Sequence, residues 1–509
     1  MAKTLSVLQI GSTDWSDAAE ENGIALTHCD VTELPVFLAK QKDPDALSSS
    51  YVLLTDDGLD SNLLAKQVQA WPAHRVIYTG DAQTFSAKMQ QALFERYAIY
   101  LKEDEPADVF TRIHKDLFLG QIGFPSRFSE DQFIPQNNYA WRQKRSGRFC
   151  YEIEGDFGDS YQQIGTLRTF PGDLSAGEEN LLYADYDREG DVSLAFSFIF
   201  FKNGALQQMK LFENPDKELL PAVRAPKDYL DYQILVLAKG QGKLTLRNLH
   251  QRRSRHGLGH FLPGGQRMLT TEGEEVLSYF NPGTKKGPLV VAFAGTRLHV
   301  EGFEMMGTLN ELGYPYLLFT DTRAQGGAFM VGTKSFENLV ESRIREAQLT
   351  AEKTSEDTIF TGYSMGSYPA MYYASLLNAE YLVLGKPIIN LGRFTGRPDF
   401  AHNGMNHDWT LDLRYVLTGR LDEADNETLD QKLWKNFEDN DFRPKKVGLF
   451  SMSYDEYDGK SLPELERYLA KVKADVEQHE ETGHHEEKVP EMLAFIKKAL
   501  KKQAKKGVK

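Results

Sequence analysis

Three rhythms of apolar and polar positions follow one another along the chain. Over about the first 110 residues, short apolar runs alternate with stretches of helical period. This predicts strands at 5–10, 51–55 and 75–79 and helices at 61–70 and 82–100, a small parallel-sheet unit. From about 115 to 262, aromatic and β-branched residues alternate with polar ones between glycine-containing turns, as in RFCYEIEGDFG and VSLAFSFIFFKNG. That spacing predicts a β-sandwich, with most of its aromatics in the core. From Gln266 onward, strands (QRMLT, EEVLSYF, PLVVAFAG) give way to a helix at 301–312, a strand at 315–320, a helix at 333–348 and a strand at 358–361. Strands alternating with helices imply a largely parallel sheet covered on both faces. The expected fold class is α/β, in three domains: a small α/β module at 1–112, a β-sandwich at 113–264 and an α/β-hydrolase-type domain at 265–509.

The last domain carries the candidate chemistry. Gly362-Tyr363-Ser364-Met365-Gly366 is G-x-S-x-G, preceded by the strand TIFT and followed by the helical run SYPAMYYASLL. Strand–turn–helix is the context a nucleophile elbow requires, so Ser364 is the expected nucleophile. A serine needs a base held by an acid, and this fold supplies them in the order Ser, acid, His. The strand in VGLFSMSYDEYDG runs into an acidic loop. Asp455 and Glu456 are the leading candidates for the acid, with Asp458 behind them. Gly483-His484-His485 precedes the last helix. His484 is the expected base and His485 the alternative. The oxyanion needs two donors: the N–H of Met365, and one from the loop after PLVVAFAG, at Thr296 or Arg297, where Gly295 allows close approach. A polar segment between the serine and the acid contains Arg393, Arg397, His402, Asn403, Asn406, His407 and Asp408. Of these, Arg393, Arg397 and His407 are candidate contacts to a polyhydroxylated acceptor.

Composition narrows the alternatives. The chain has 509 residues, 41% hydrophobic and 26% charged, with a formal net charge of -14. That balance argues against nucleic acid or an anionic membrane as the main partner. The basic tail from Lys497 to Lys509 reads as a solvated helix end. Cys29 and Cys150 are too few for a disulfide framework and make metal binding by cysteine unexpected. No zinc or P-loop pattern is present, and the first strand ends in GSTDW, which is not a dinucleotide-binding fingerprint. With no signal-like N-terminus and no long apolar run, the protein reads as cytosolic. Arg252, Arg253, Arg255, His256 and His260 form a basic cluster, expected to be an exposed loop or a binding edge.

Taken together, the N-terminal module, the sandwich running into NLHQRRSRHGLGHFLPGGQR, the GYSMGS elbow, the acid loop FSMSYDEYDG and the GHH segment resemble the second accessory secretory protein family of the Gram-positive accessory Sec system. The resemblance spans nearly the whole chain. It implies a cytoplasmic protein, associated with the membrane at most peripherally through the translocase. It would act with companion accessory secretory proteins one and three and an accessory SecA motor to export glycosylated serine-rich-repeat adhesins. It also implies a sandwich similar to carbohydrate-binding modules and an O-acetyltransferase activity toward N-acetylglucosamine on the adhesin, with no bound cofactor and acetyl-CoA as the expected donor. The family's serine maps to Ser364, its histidine to His484, and its acid to the Asp455–Glu456 loop without choosing between the two. An esterase using the same triad, or a non-catalytic export adaptor, are the alternatives.

Overall fold

The computed structural model describes residues 4–40, 49–56, 61–169, 173–297, 300–395, 409–422 and 424–507. It contains three sheets. The first has five parallel strands in the order Ala25–Cys29, Ser6–Ile10, Tyr51–Leu54, Val76–Tyr78, Ile99–Tyr100. Its central strand, Tyr51–Leu54, is buried on both faces, as a sheet covered by helices on both sides requires. The edge strand Ala25–Cys29 buries little more than Cys29, which is why no apolar run announces it. The helix Pro106–Asp116 packs Val109, Phe110 and Ile113 beneath this sheet and so crosses the boundary expected at 112.

Two long strands, Glu179–Lys202 and Asp231–Arg253, dominate the middle sheet and pair antiparallel along almost their whole length. The other edge of Asp231–Arg253 takes three strands in turn: Gln162–Leu167, Cys150–Asp156 and Gly123–Arg127. The change of partner falls at Gly240, whose φ is +87° and whose Cβ, if present, would lie 2.1 Å from the Asp191 carbonyl oxygen. Only glycine allows the strand to bend there. The two halves close on a common core that joins Phe196, Phe198 and Val236 to Ile153, Leu182 and Leu244.

The third sheet has eight strands: Gln266–Leu269, Glu275–Asn281, Tyr316–Thr320, Leu289–Phe293, Thr358–Tyr363, Tyr381–Gly385, Lys446–Met452 and Asp475–Glu481. The first two are antiparallel to their neighbours and the rest are parallel. Chain order is kept except that the third and fourth strands exchange places, which is the α/β-hydrolase topology. Helices Lys334–Thr350, Ser367–Leu376 and Asn426–Asp439 cover one face. Met306–Leu312 and Val489–Gly507 cover the other. As far as Gly507 the basic tail is the end of this last helix, where Lys502 pairs with Glu477 at 2.6 Å. Among the described residues no helix is long and apolar enough to cross a membrane. Cys29 and Cys150 are both buried and unbridged.

The basic cluster departs from expectation. It is neither an exposed loop nor a binding edge, because Arg252 and Arg255 are 2% and 1% exposed. Arg252 lies between Glu301 (2.6 Å) and Glu275 (2.9 Å), and Arg267 reaches the same Glu275 at 2.8 Å. Arg255 donates to the carbonyl oxygens of Asp116, Gly120 and Phe261. His256 bridges Asp116 and Glu179. Burial would raise the carboxyl of Glu275, but the charge of Arg252 outweighs it and holds the group well below the usual range. The same network shortens the expected helix at 301–312. It begins at Met306, because Glu301 is drawn into the seam by His250 and Arg252.

Replacing Arg252 with Met should leave two buried carboxylates under-compensated, Glu275 with Arg267 alone and Glu301 with His250 alone. A loss of about 3–5 kcal/mol is expected in denaturant unfolding. A loss under about 1 kcal/mol would show that the seam does not depend on this cation.

Candidate active site

The strand Thr358–Tyr363 lies in the middle of the hydrolase sheet and ends abruptly. Ser364 has φ +51°, in the left-handed region, and the chain passes at once into a single 3-10 turn and the buried helix Ser367–Leu376. Such an angle is costly for a residue with a side chain. The turn also brings backbone against backbone. A Cβ on Gly362 would lie 2.1 Å from the Gly366 carbonyl oxygen, and one on Gly366 would lie 2.3 Å from that of Phe293. Both elbow glycines are therefore required. Ser367 braces the turn, donating to the Ser364 carbonyl at 2.5 Å and accepting the Ile388 N–H at 3.0 Å.

The histidine on Ser364 is His485, not His484. Its Nε2 is 2.8 Å from Ser364 Oγ. Its Nδ1 lies 2.9 and 3.0 Å from the two oxygens of Asp455. His485 is 3% exposed. The side chain of His484 is 65% exposed and meets Glu456 at 3.3 Å. The one-residue difference is set by the loop's backbone. Gly483 turns the chain at φ +143°, and Glu487 accepts the N–H of His484 at 2.9 Å. Lys386, which sequence reasoning missed, donates from its buried ammonium to the carbonyl oxygens of His485 (2.6 Å) and Glu487. It sits just past the strand Tyr381–Gly385 at φ +47°. Nothing local in the sequence signals this contact, which joins residues about 100 positions apart.

The three candidate acids have three different surroundings. Asp455 holds the imidazole and also accepts the N–H of Tyr457 at 3.0 Å. Burial acts to raise its carboxyl, but the hydrogen bond and charge of His485 outweigh burial and hold it below the usual value. Glu456 instead accepts the backbone N–H of His485 at 3.0 Å. Asp458 is buried away from the histidine, accepting from the N–H groups of Ile389 (2.6 Å) and Asn390 (3.0 Å) and from the Ser461 hydroxyl (2.5 Å). Burial pushes its carboxyl up to about 7, and those hydrogen bonds offset the push only in part.

The N–H of Met365 lies in the first turn after the strand, where helical N–H groups lack partners within the helix. In the loop after Leu289–Phe293, the N–H of Gly295 donates to Glu304 (2.8 Å) and that of Arg297 to Gly326 (3.4 Å). The Thr296 N–H has no partner among the described residues, and Thr296 Oγ1 touches the Met365 sulfur at 3.7 Å. Of the two expected donors in this loop, Thr296 is the one left free. Glu304 fixes the loop by also taking the Tyr363 hydroxyl at 2.8 Å and pairing with Arg297 at 3.2 Å. Arg393 faces Glu464 at 2.5 Å and Asp430 at 3.5 Å, so its charge is taken up within the protein. Arg397 and His407 lie outside the described residues, as do His402, Asn403, Asn406 and Asp408.

Single substitutions test this arrangement. His485→Gln and Asp455→Asn should each lower the rate of Ser364 labelling by a serine-directed probe by about 100-fold or more. His484→Gln and Glu456→Gln should stay within about 10-fold of wild type. Equal losses at His484 and His485 would overturn the assignment. Asp458 should show itself through stability. Its folded value, near 7, lies above the ordinary 3.8, so its contribution is present at low pH and is lost as pH rises through that window. Asp458→Asn should flatten the fall in thermal stability between those pH values. An unchanged slope would place the titration elsewhere.

A family model described as "Accessory Sec system GspB-transporter", the second accessory secretory protein, matches residues 5–503. The chain is 27% identical over 501 residues to the second accessory Sec system protein of Streptococcus gordonii, covering 95% of each. It is 28% identical over 391 residues to the protein of the same name from Staphylococcus aureus (strain NCTC 8325 / PS 47), covering 74% of this chain and 72% of that one. Its structure is also similar to a chain of the Glycosylation Associate Protein (Gap123) complex from Streptococcus agalactiae. The TM-score is 0.81 at 27% identity, covering 97% of this chain and 96% of that one. With the family model matching almost end to end, this chain belongs to the second accessory secretory protein family of the accessory Sec system.

Proposed function

We propose that this protein is an O-acetyltransferase that works on the glycans of an exported serine-rich-repeat adhesin, with Ser364, His485 and Asp455 as its catalytic residues. The reading rests on the Ser364–His485–Asp455 hydrogen-bond chain, with a Thr296 N–H that has no partner among the described residues. His485 Nε2 takes the proton of Ser364 Oγ as the oxygen attacks an acetyl thioester, with acetyl-CoA as the donor. Asp455 fixes the Nδ1–H tautomer and stabilises the imidazolium. The N–H groups of Met365 and Thr296 hold the developing oxyanion. Collapse of the intermediate expels the thiolate, which His485 protonates. A sugar hydroxyl, the 6-OH of N-acetylglucosamine, then gives its proton to His485 and attacks the acetyl-serine. Acetylated sugar leaves and Ser364 is regenerated.

Family membership supports the setting: the cytoplasm, alongside companion accessory secretory proteins one and three and an accessory SecA motor. The Streptococcus agalactiae complex, whose name refers to glycosylation, favours a glycan acceptor over water. The chain before Gln266 contains none of the groups used in the chemistry, and we assign it to assembly and export.

Ser364→Ala should lower acetyl transfer by on the order of 10⁴-fold or more. Partner binding and export should be unchanged, giving adhesin with under-acetylated glycans. Mass spectrometry of the exported glycans beside a secretion assay checks both outcomes. Unchanged acetate would remove Ser364 from the mechanism. Transfer of the donor's acetyl group to water alone, with acceptor sugar present, would make the protein an esterase.

A further inference from the structure

Both ring nitrogens of His485 are held in the plane of the ring, and one of its faces is covered. The Tyr457 ring lies flat on the imidazole, with centroids 4.1 Å apart and planes 9° from parallel. Tyr457 is 5% exposed. Its backbone N–H donates to Asp455 Oδ1 at 3.0 Å, and its hydroxyl donates to Glu486 at 2.9 Å. One residue thus touches the acid, the base and the residue that follows the base. The charged groups around the imidazole are Asp455 on Nδ1, Glu456 on the backbone N–H, Glu486 on the tyrosine hydroxyl and Lys386 on the carbonyl oxygens of the loop. The two in-plane hydrogen bonds resist rotation of the ring within its plane. They do little against tilt about the line joining Asp455 to Ser364, and a flat aromatic partner resists that tilt. An aromatic face in a water-poor site also favours a cation above it, and the imidazole becomes a cation when it takes the serine proton.

We propose that Tyr457 is a positioning residue for the base, setting the tilt of His485 and stabilising its imidazolium through the ring face. The proposal rests on the acyl-transfer reading above. Acylation of Ser364 by p-nitrophenyl acetate tests it on the full chain without a sugar acceptor. Tyr457→Leu should lower kcat by about 10- to 100-fold with KM little changed, the scale of a misplaced catalytic group. Tyr457→Phe, which keeps the ring and loses the hydroxyl that bonds Glu486, should restore most of that rate. The His485 ring-proton resonance should move on loss of the tyrosine ring current in Tyr457→Leu and stay near its wild-type position in Tyr457→Phe. Should Tyr457→Leu fail to fold, Tyr457→Met supports the same comparison. Full activity in the Leu or Met variant, a change in KM alone, or equal loss in Tyr457→Phe would overturn the role of the ring face. Absence of Ser364-dependent acylation in the wild-type chain is a separate outcome, which would overturn the acyl-transfer reading and this proposal with it.

Discussion

A serine held at a left-handed backbone angle is unfavourable by about 1–3 kcal/mol, and it persists only where its surroundings leave no other arrangement. At Ser364 those surroundings can be named. The strand before it is paired on both sides, to Leu289–Phe293 and to Tyr381–Gly385. The helix after it is buried along Ser367–Ser375. Gly362 and Gly366 have backbone oxygens where their Cβ atoms would go. The elbow cannot relax without pulling the central strand out of register, so the strain remains where the Ser364 side chain meets His485.

The carboxylates after the strand Lys446–Met452 show how environment divides work among like groups. Asp455 faces the imidazole, Glu456 faces the backbone of the same histidine, and Asp458 faces away into the segment at Ile389 and Asn390. The first two hold ring and main chain of one residue, and the third holds the neighbouring loop in place. Lys386 completes the support from behind, through the carbonyl oxygens of His485 and Glu487. The base is therefore fixed by its main chain as well as by its side chain, which limits the conformational freedom lost when it acts.

The seam between the middle sheet and the hydrolase sheet follows similar logic at larger scale. Arg252 is contributed by a long middle-sheet strand, Glu275 by a hydrolase strand and Glu301 by the loop before a hydrolase helix. Three buried charges tolerate no slack, because each requires its partners in place. The network thus ties the orientation of the sandwich to the sheet that carries the nucleophile.

By itself the sequence determined what depends on neighbours along the chain. The elbow was legible because G-x-S-x-G between a strand and a helix is a local pattern, and the sheet class because the apolar periodicity changes at about Gln266. The edge strand Ala25–Cys29 left too little buried apolar surface to register. Tertiary structure decided the rest wherever the deciding contact is distant. Adjacent histidines differ only in which way the loop points them, and that direction is set by Gly483, Glu487 and Lys386. Asp455 and Glu456 are alike as neighbours in sequence and separate only once His485 is placed. The arginines after Leu249 looked exposed because Glu275 and Glu301, which make Arg252 a buried residue, lie 23 and 49 positions away. Charge pairs and loop direction are properties of the assembled fold, and no local periodicity encodes them.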